Sequence, residues 1–162
     1  MCEDILTEIY EKYYNDIYLY ALSMCRNHHS AQEICSDTFF KAMVSYTDET
    51  VPIKPWLLRV CRNCAIDRWR KARKTDDREL DENLPICTEG PISQILKKEE
   101  HQQLYQAIRK LPQAYQEVLY LFYFNDMSGK EIAEITGRST GSVRTLLYRA
   151  RVQLKELLKE EL

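Results

Sequence analysis

The side chains best suited to chemistry on a partner are the hydrogen-bonding and cationic groups of residues 127–153, MSGKEIAEITGRSTGSVRTLLYRARVQ, and their chemistry is recognition. Ser128 followed by Glu131 spells a capping box that opens a helix near Gly129, since hydroxyl and carboxylate each satisfy an orphan N–H. Ile132, Ala133 and Ile135 give that helix a short apolar face, and Gly137 stands where a helix needs positive φ to stop. Ser139 can cap a second helix whose apolar stripe runs Val143, Leu146, Leu147, Ala150, Leu154, Leu157 and Leu158. Small Ala133, turning Gly137 and angle-closing Val143 follow the logic of a helix-turn-helix, whose exposed face meets the major groove. On that face Arg144 can fork onto a guanine edge, and Thr145 can bond a base or touch a thymine methyl. Arg149 and Arg151 suit phosphates. Taken alone, the stretch also fits a helical hairpin with a solvated charged face.

A second reader lies in PWLLRVCRNCAIDRWRKARK, residues 55–74, where Pro55 suits a first helical position. Leu57, Val60, Cys61, Cys64 and Ala65 form its buried stripe. Arg59, Arg62, Asn63, Asp67, Arg70 and Arg73 are left on or beside the opposite face. Guanidinium groups mixed with Asn63, Trp56 and Trp69 make a surface that holds phosphates while bonding or stacking on bases. Cys61 and Cys64 spell C-x-x-C, yet both fall on the apolar stripe and no second pair completes a zinc set, so they read as core thiols. His28 and His29 near Cys25 and Cys35 match no zinc module either, and neither metal nor cofactor is expected.

The remaining segments read as what positions these two helices. Ile5, Ile9, Tyr13, Ile17, Tyr20 and Met24 recur at helical spacing over residues 3–24, widened by Tyr10, Tyr14 and Tyr18, and predict a long core helix. RNHH at 26–29 reads as a connector, and Ser30 with Glu33 as a capping box opening a helix from Ala31 to about Tyr46. Its expected buried side is Ile34, Thr38, Ala42 and Met43 or Phe39. Glu33, Ser36, Asp37, Phe40 and Lys41 are left for a different partner. Residues 47–54 read as a loop. From Thr75 to Ser93 the apolar period breaks, with Pro, Gly and six carboxylates, as in an interdomain linker. Helix resumes from about Ile92 through Lys110, and Pro112 opens another from Gln113 to Phe124 with Val118, Leu119, Leu121, Phe122 and Tyr123 as core.

Composition narrows the class. The chain has 162 residues and 44% hydrophobic content, enough for ordered cores, and no strand-period stretch. It lacks an apolar run long enough to span a bilayer, and its acidic start MCEDILTEIY is unlike a signal peptide, so a cytoplasmic protein is expected. Six cysteines outside a loop-rich secreted frame read as reduced thiols. Formal charge is only -2, but it is unevenly spread: -6 over residues 1–50, +7 over 51–75, -5 over 76–100 and +3 over 127–153. Two basic blocks parted by an acidic one suit two contacts with a polyanion.

In order and spacing, these segments resemble an extracytoplasmic-function (group IV) sigma factor of the sigma-70 family over nearly the whole chain. IYEKYYNDIYLYALSM is similar to the first helix of the sigma-2 domain and SAQEICSDTFFKAM to the helix that docks on core polymerase. IKPWLLRVCRNCAIDRWRKARK resembles the helix that melts and reads the minus 10 element, and LPQAYQEVLYLFYFNDMSGKEIAEITGRSTGSVRTLLYRARVQLKELL resembles sigma-4. The resemblance implies an all-α fold of two small helical domains joined by an acidic linker: a sigma-2-like bundle over 1–74, a linker over 75–93, and a sigma-4-like helix-turn-helix domain over 94–162. It implies that Arg144, Thr145 and Tyr148 contact minus 35 base edges or adjacent backbone while Ser142, Arg149 and Arg151 hold phosphates. Trp56, Arg59, Arg62, Asn63, Asp67 and Arg70 would serve the minus 10 element, with Asn63 and Asp67 at its upstream part and the Tyr46–Lys54 loop capturing an unstacked base. Glu33, Asp37, Phe40 and Lys41 would face the clamp helices of the large polymerase subunit. Ser36 departs from the usual glutamine there, and Leu146 from a frequent basic residue, which implies a weaker phosphate grip. The implied partners are core RNA polymerase, promoter DNA and an anti-sigma factor, with no catalysis. A stand-alone helix-turn-helix regulator would instead dimerise on a palindromic site, and a metal-using enzyme or adaptor built on His28, His29 and the cysteines would carry metal.

Overall fold

The computed structural model describes residues 2–75 and 99–160, and among these seven helices and no strand occur. The chain divides into two compact units, Met1–Ile86 and Cys87–Leu162. The linker read over 75–93 lies outside the described residues apart from Thr75, as does the start of the helix read from Ile92.

The first unit holds α1 (Cys2–Cys25), α2 (His28–Ser45) and α3 (Ile53–Thr75), each packed on the other two. Its core is Ile17, Tyr20 and Leu22 of α1, Ala31, Ile34 and Cys35 of α2, and Leu57, Leu58 and Cys61 of α3. Tyrosines expected to widen the α1 stripe do so as a ladder: Tyr10, Tyr14 and Tyr18 meet ring to ring at 5.0 and 6.1 Å, and Phe39 of α2 lies against Tyr10 at 5.0 Å. Offset and tilted ring contacts of this kind add to the area they bury. Asp16 and Lys54, 3.4 Å apart, tie α1 to the start of α3.

Several local expectations need correction. Asn27, rather than Ser30, caps α2: its side-chain oxygen accepts the Ser30 N–H at 2.9 Å, so the helix starts at His28 and takes both histidines. Glu33 is thereby freed from capping and turns to other partners. Phe39 takes the half-buried place while Met43 stays exposed, and Ile5 is exposed because it lies toward the outer end of α1. Helix α3 begins at Ile53, two residues before Pro55, which still lies in the first turn where its missing N–H has no partner to lose.

The second unit holds α4 (Glu99–Arg109), α5 (Gln113–Tyr123), α6 (Gly129–Thr136) and α7 (Thr140–Glu160). Tyr105, Ile108, Val118, Leu119, Tyr120, Ile132, Val143 and Ala150 are buried at its centre. Tyr123 is exposed and Phe122 half-buried, so the core face of α5 is centred on Val118–Leu121. Buried Gln116 donates its amide to the carbonyls of Arg109 at 3.1 Å and Leu111 at 2.6 Å. Those are carbonyls that the end of α4 leaves without an intrahelical donor, so one side chain closes the α4–α5 corner.

Candidate nucleic-acid interface

The α6–α7 pair forms as its sequence dictates. Ser128 Oγ accepts the Glu131 N–H at 3.1 Å, and Glu131 Oε1 accepts the Ser128 N–H at 3.1 Å, completing the capping box. Gly137 stops α6 at φ 73°, in the left-handed region, and Ser139 Oγ caps α7 by accepting the Ser142 N–H at 3.1 Å. Val143, Leu147, Ala150 and Leu154 are buried and seat α7 in the unit. Arg144, Thr145, Tyr148, Arg149 and Arg151 are exposed, Tyr148 by 71%, while Ser142 is half-buried. The Thr145 hydroxyl donates to the Gly141 carbonyl at 3.1 Å, which spends its proton and leaves its lone pairs as acceptors. Arg151 is not a loose cation: its guanidinium lies 4.3 Å from the Phe122 ring centre, held from α5.

On α3, Arg59, Asn63, Asp67 and Arg70 are exposed and share one side, while Trp56 and Arg62 are half-buried. Trp56 stacks at a tilt on Tyr46, 5.3 Å between centres, and the Tyr46 hydroxyl donates to the Val51 carbonyl at 2.5 Å. This ties together both ends of the segment between α2 and α3. Within it Asp48 accepts the Thr50 hydroxyl at 2.6 Å and the Thr50 N–H at 3.0 Å, and these bonds hold its carboxyl below the usual range. Trp69 is exposed, with Arg73 stacked 4.6 Å from its ring centre. The segment therefore arrives as a structured turn beside a basic helix.

The four residues read as a polymerase-docking set divide. Phe40 is 62% exposed and stands with Val44 and Met43 on the outer side of α2. Glu33 and Asp37 instead border α3, where Arg68 contacts Glu33 and approaches Asp37 at 3.7 Å. Lys41 continues the same side, where its charge opposes the upward shift of the Cys64 thiol. Arg68 escaped the sequence reading, although it extends the spacing of the Leu57, Cys61, Cys64 stripe by one more turn. That position was the available signal.

Cys25, Cys35, Cys61 and Cys64 are free thiols, the last three buried. Burial pushes all four up, Cys35 to about 12, which disfavours the thiolate at each. Among the described residues no cluster of three or more His, Cys, Asp or Glu has the arrangement of a metal site. No helix among them is long and apolar enough to cross a membrane.

A three-helix unit carrying a basic helix and a four-helix unit carrying a helix-turn-helix together have the architecture of a DNA-binding protein. Residues 9–75 match the Sigma-70 region 2 family and residues 101–154 match Sigma-70, region 4. The chain is 33% identical to the ECF RNA polymerase sigma factor SigM of Bacillus subtilis strain 168, over 94% of each chain. It is 34% identical to the sigma factor SigV of the same organism, over 91% of this chain and 87% of that one. In fold it resembles the sigma factor RpoE solved in complex with the anti-sigma factor NepR from Bartonella quintana, with TM-score 0.71 and 23% identity over 94% of this chain and 96% of that one. The chain belongs to the extracytoplasmic-function RNA polymerase sigma factors of the sigma-70 family. Its function is that of an RNA polymerase sigma factor, a transcription regulator.

Proposed function

We propose that residues 1–74 dock on core RNA polymerase and read the minus 10 element, that 94–162 read the minus 35 element, and that 75–93 link them. What carries this reading is the exposure of two cationic helix faces, one in each matched region. In it, Arg144, Thr145 and Tyr148 meet base edges of the minus 35 element, and Ser142, Arg149 and Arg151 hold its phosphates. Asn63 and Asp67 meet the upstream minus 10 bases, with Arg59, Arg62 and Arg70 on the backbone and Trp56 bracing the turn that receives an unstacked base. Phe40 supplies an apolar contact to the clamp helices of the large polymerase subunit, beside Glu33, Asp37 and Lys41.

The protein makes and breaks no bond itself and needs no cofactor; binding energy at two elements positions the polymerase, and the flipped base offsets part of the cost of opening the duplex. It works in the cytoplasm on a stress-type regulon. An anti-sigma factor holds it inactive, as the pairing of the related RpoE with NepR suggests. The decisive experiment is transcription in vitro with purified core polymerase on a promoter library. Initiation at a common pair of elements is expected; palindromic operator binding without polymerase would replace this reading with that of a stand-alone regulator.

A further inference from the structure

Arg68 points from α3 toward α2. Arg59 and Arg70 are exposed on the DNA side, whereas Arg68 contacts Glu33 and lies 3.7 Å from Asp37. The second Glu33 oxygen is 3.0 Å from His29 Nε2, so both of its oxygens are engaged. Lys41 continues the α2 stripe, and its charge opposes the upward shift of the Cys64 thiol, one turn before Arg68. Two carboxylates one helical turn apart repel each other, and Arg68 is a cation placed against both. Its neighbour in the chain is Asp67, an exposed member of the candidate minus 10 face.

We propose that Arg68 is a positioning residue through which the polymerase-facing acids of α2 set the placement of the promoter-reading face of α3. The proposal rests on α2 being the polymerase-docking helix. A polymerase cation arriving at Glu33 or Asp37 shares their charge and changes their hold on Arg68. Because α3 is one continuous helix, a shift at Arg68 moves Asp67, Asn63 and Arg70 together. Docking and promoter reading are then linked by a charge cluster at the seam of the two helices, with no movement of the apolar core.

The test compares Arg68→Ala and Arg68→Lys in reconstituted holoenzyme, measuring affinity for core polymerase and, separately, the rate of promoter opening at saturating holoenzyme. Arg68→Ala should slow opening by about threefold to fivefold, the scale a partly exposed ion-pair cluster can transmit. Arg68→Lys should recover most of it, and core affinity should stay within about twofold of wild type in both. Opening at the wild-type rate in Arg68→Ala overturns the proposal. So does a defect that disappears once core is saturating, since Arg68 would then belong to docking itself. A loss shared by both variants and matched by a lower unfolding midpoint also overturns it, by making the role one of stability. Failure of the sigma-factor reading is distinct: the wild-type protein would neither bind core nor open a promoter.

Discussion

Asp126 holds φ at 56°, a left-handed conformation that a side chain with a Cβ adopts at a cost. It is exposed and lies in the turn between α5 and α6. Asp126→Gly is expected to stabilise the second unit by about 0.5–1 kcal/mol, read as a shift in denaturant midpoint at constant slope. The Cys35 thiol shows the opposite kind of tension, between burial and charge. Pushed from an ordinary 9.0 to about 12, it stays protonated in the folded chain where the unfolded chain has already ionised. Its contribution to stability is therefore whole below 9.0 and is lost as pH rises toward about 12. Denaturant unfolding across that range should fall less steeply in Cys35→Ala than in wild type, whatever the absolute loss from the smaller core residue. An unchanged slope would show that the thiol is not shielded.

Elements were legible in the sequence wherever one residue type has one mechanical use. Ser128 with Glu131 opens α6 and Gly137 ends it as read, and of the stripe read on α7 Val143, Leu147, Ala150 and Leu154 are buried while Leu146, Leu157 and Leu158 are half-buried. Helix α2 was harder, because its charged stripe Glu33, Asp37 and Lys41 and its exposed apolar residues Phe40, Met43 and Val44 both lie outside its buried face. The sequence could not say which of Glu33, Asp37, Lys41 and Phe40 faces outward, since that depends on where α3 lies. Gln116 was missed for a similar reason: its carbonyl partners at Arg109 and Leu111 come from a corner between helices. Pattern reveals the apolar side of a helix, while polar seams depend on the neighbour across them. For α7, proposed as the minus 35 reader, Arg144→Ala should weaken minus 35 binding by about 1–3 kcal/mol and relax base preference at one position. Promoter selection from a randomised element would detect this, and an unaltered preference would remove Arg144 from base reading.

Across the whole molecule, a formal charge of -2 conceals +7 over residues 51–75 and +3 over 127–153. Long-range attraction to DNA is therefore weak while attraction at the two helices is strong, which favours a protein that meets DNA only when carried to it. Promoter binding by the holoenzyme should weaken steeply with salt. Arg149→Ala should reduce the slope of log affinity against log salt by about one while leaving base preference intact. A changed preference with an unchanged slope would move Arg149 from the backbone to the bases.

Gly137 has nothing within 4 Å of where a Cβ would stand, yet its φ is 73°. Intolerance at this position thus arises in the chain's own torsions, with room to spare around them. A library randomised at codon 137 and selected for transcription should return glycine first and asparagine or aspartate next, and should reject valine and isoleucine although either would fit the empty space.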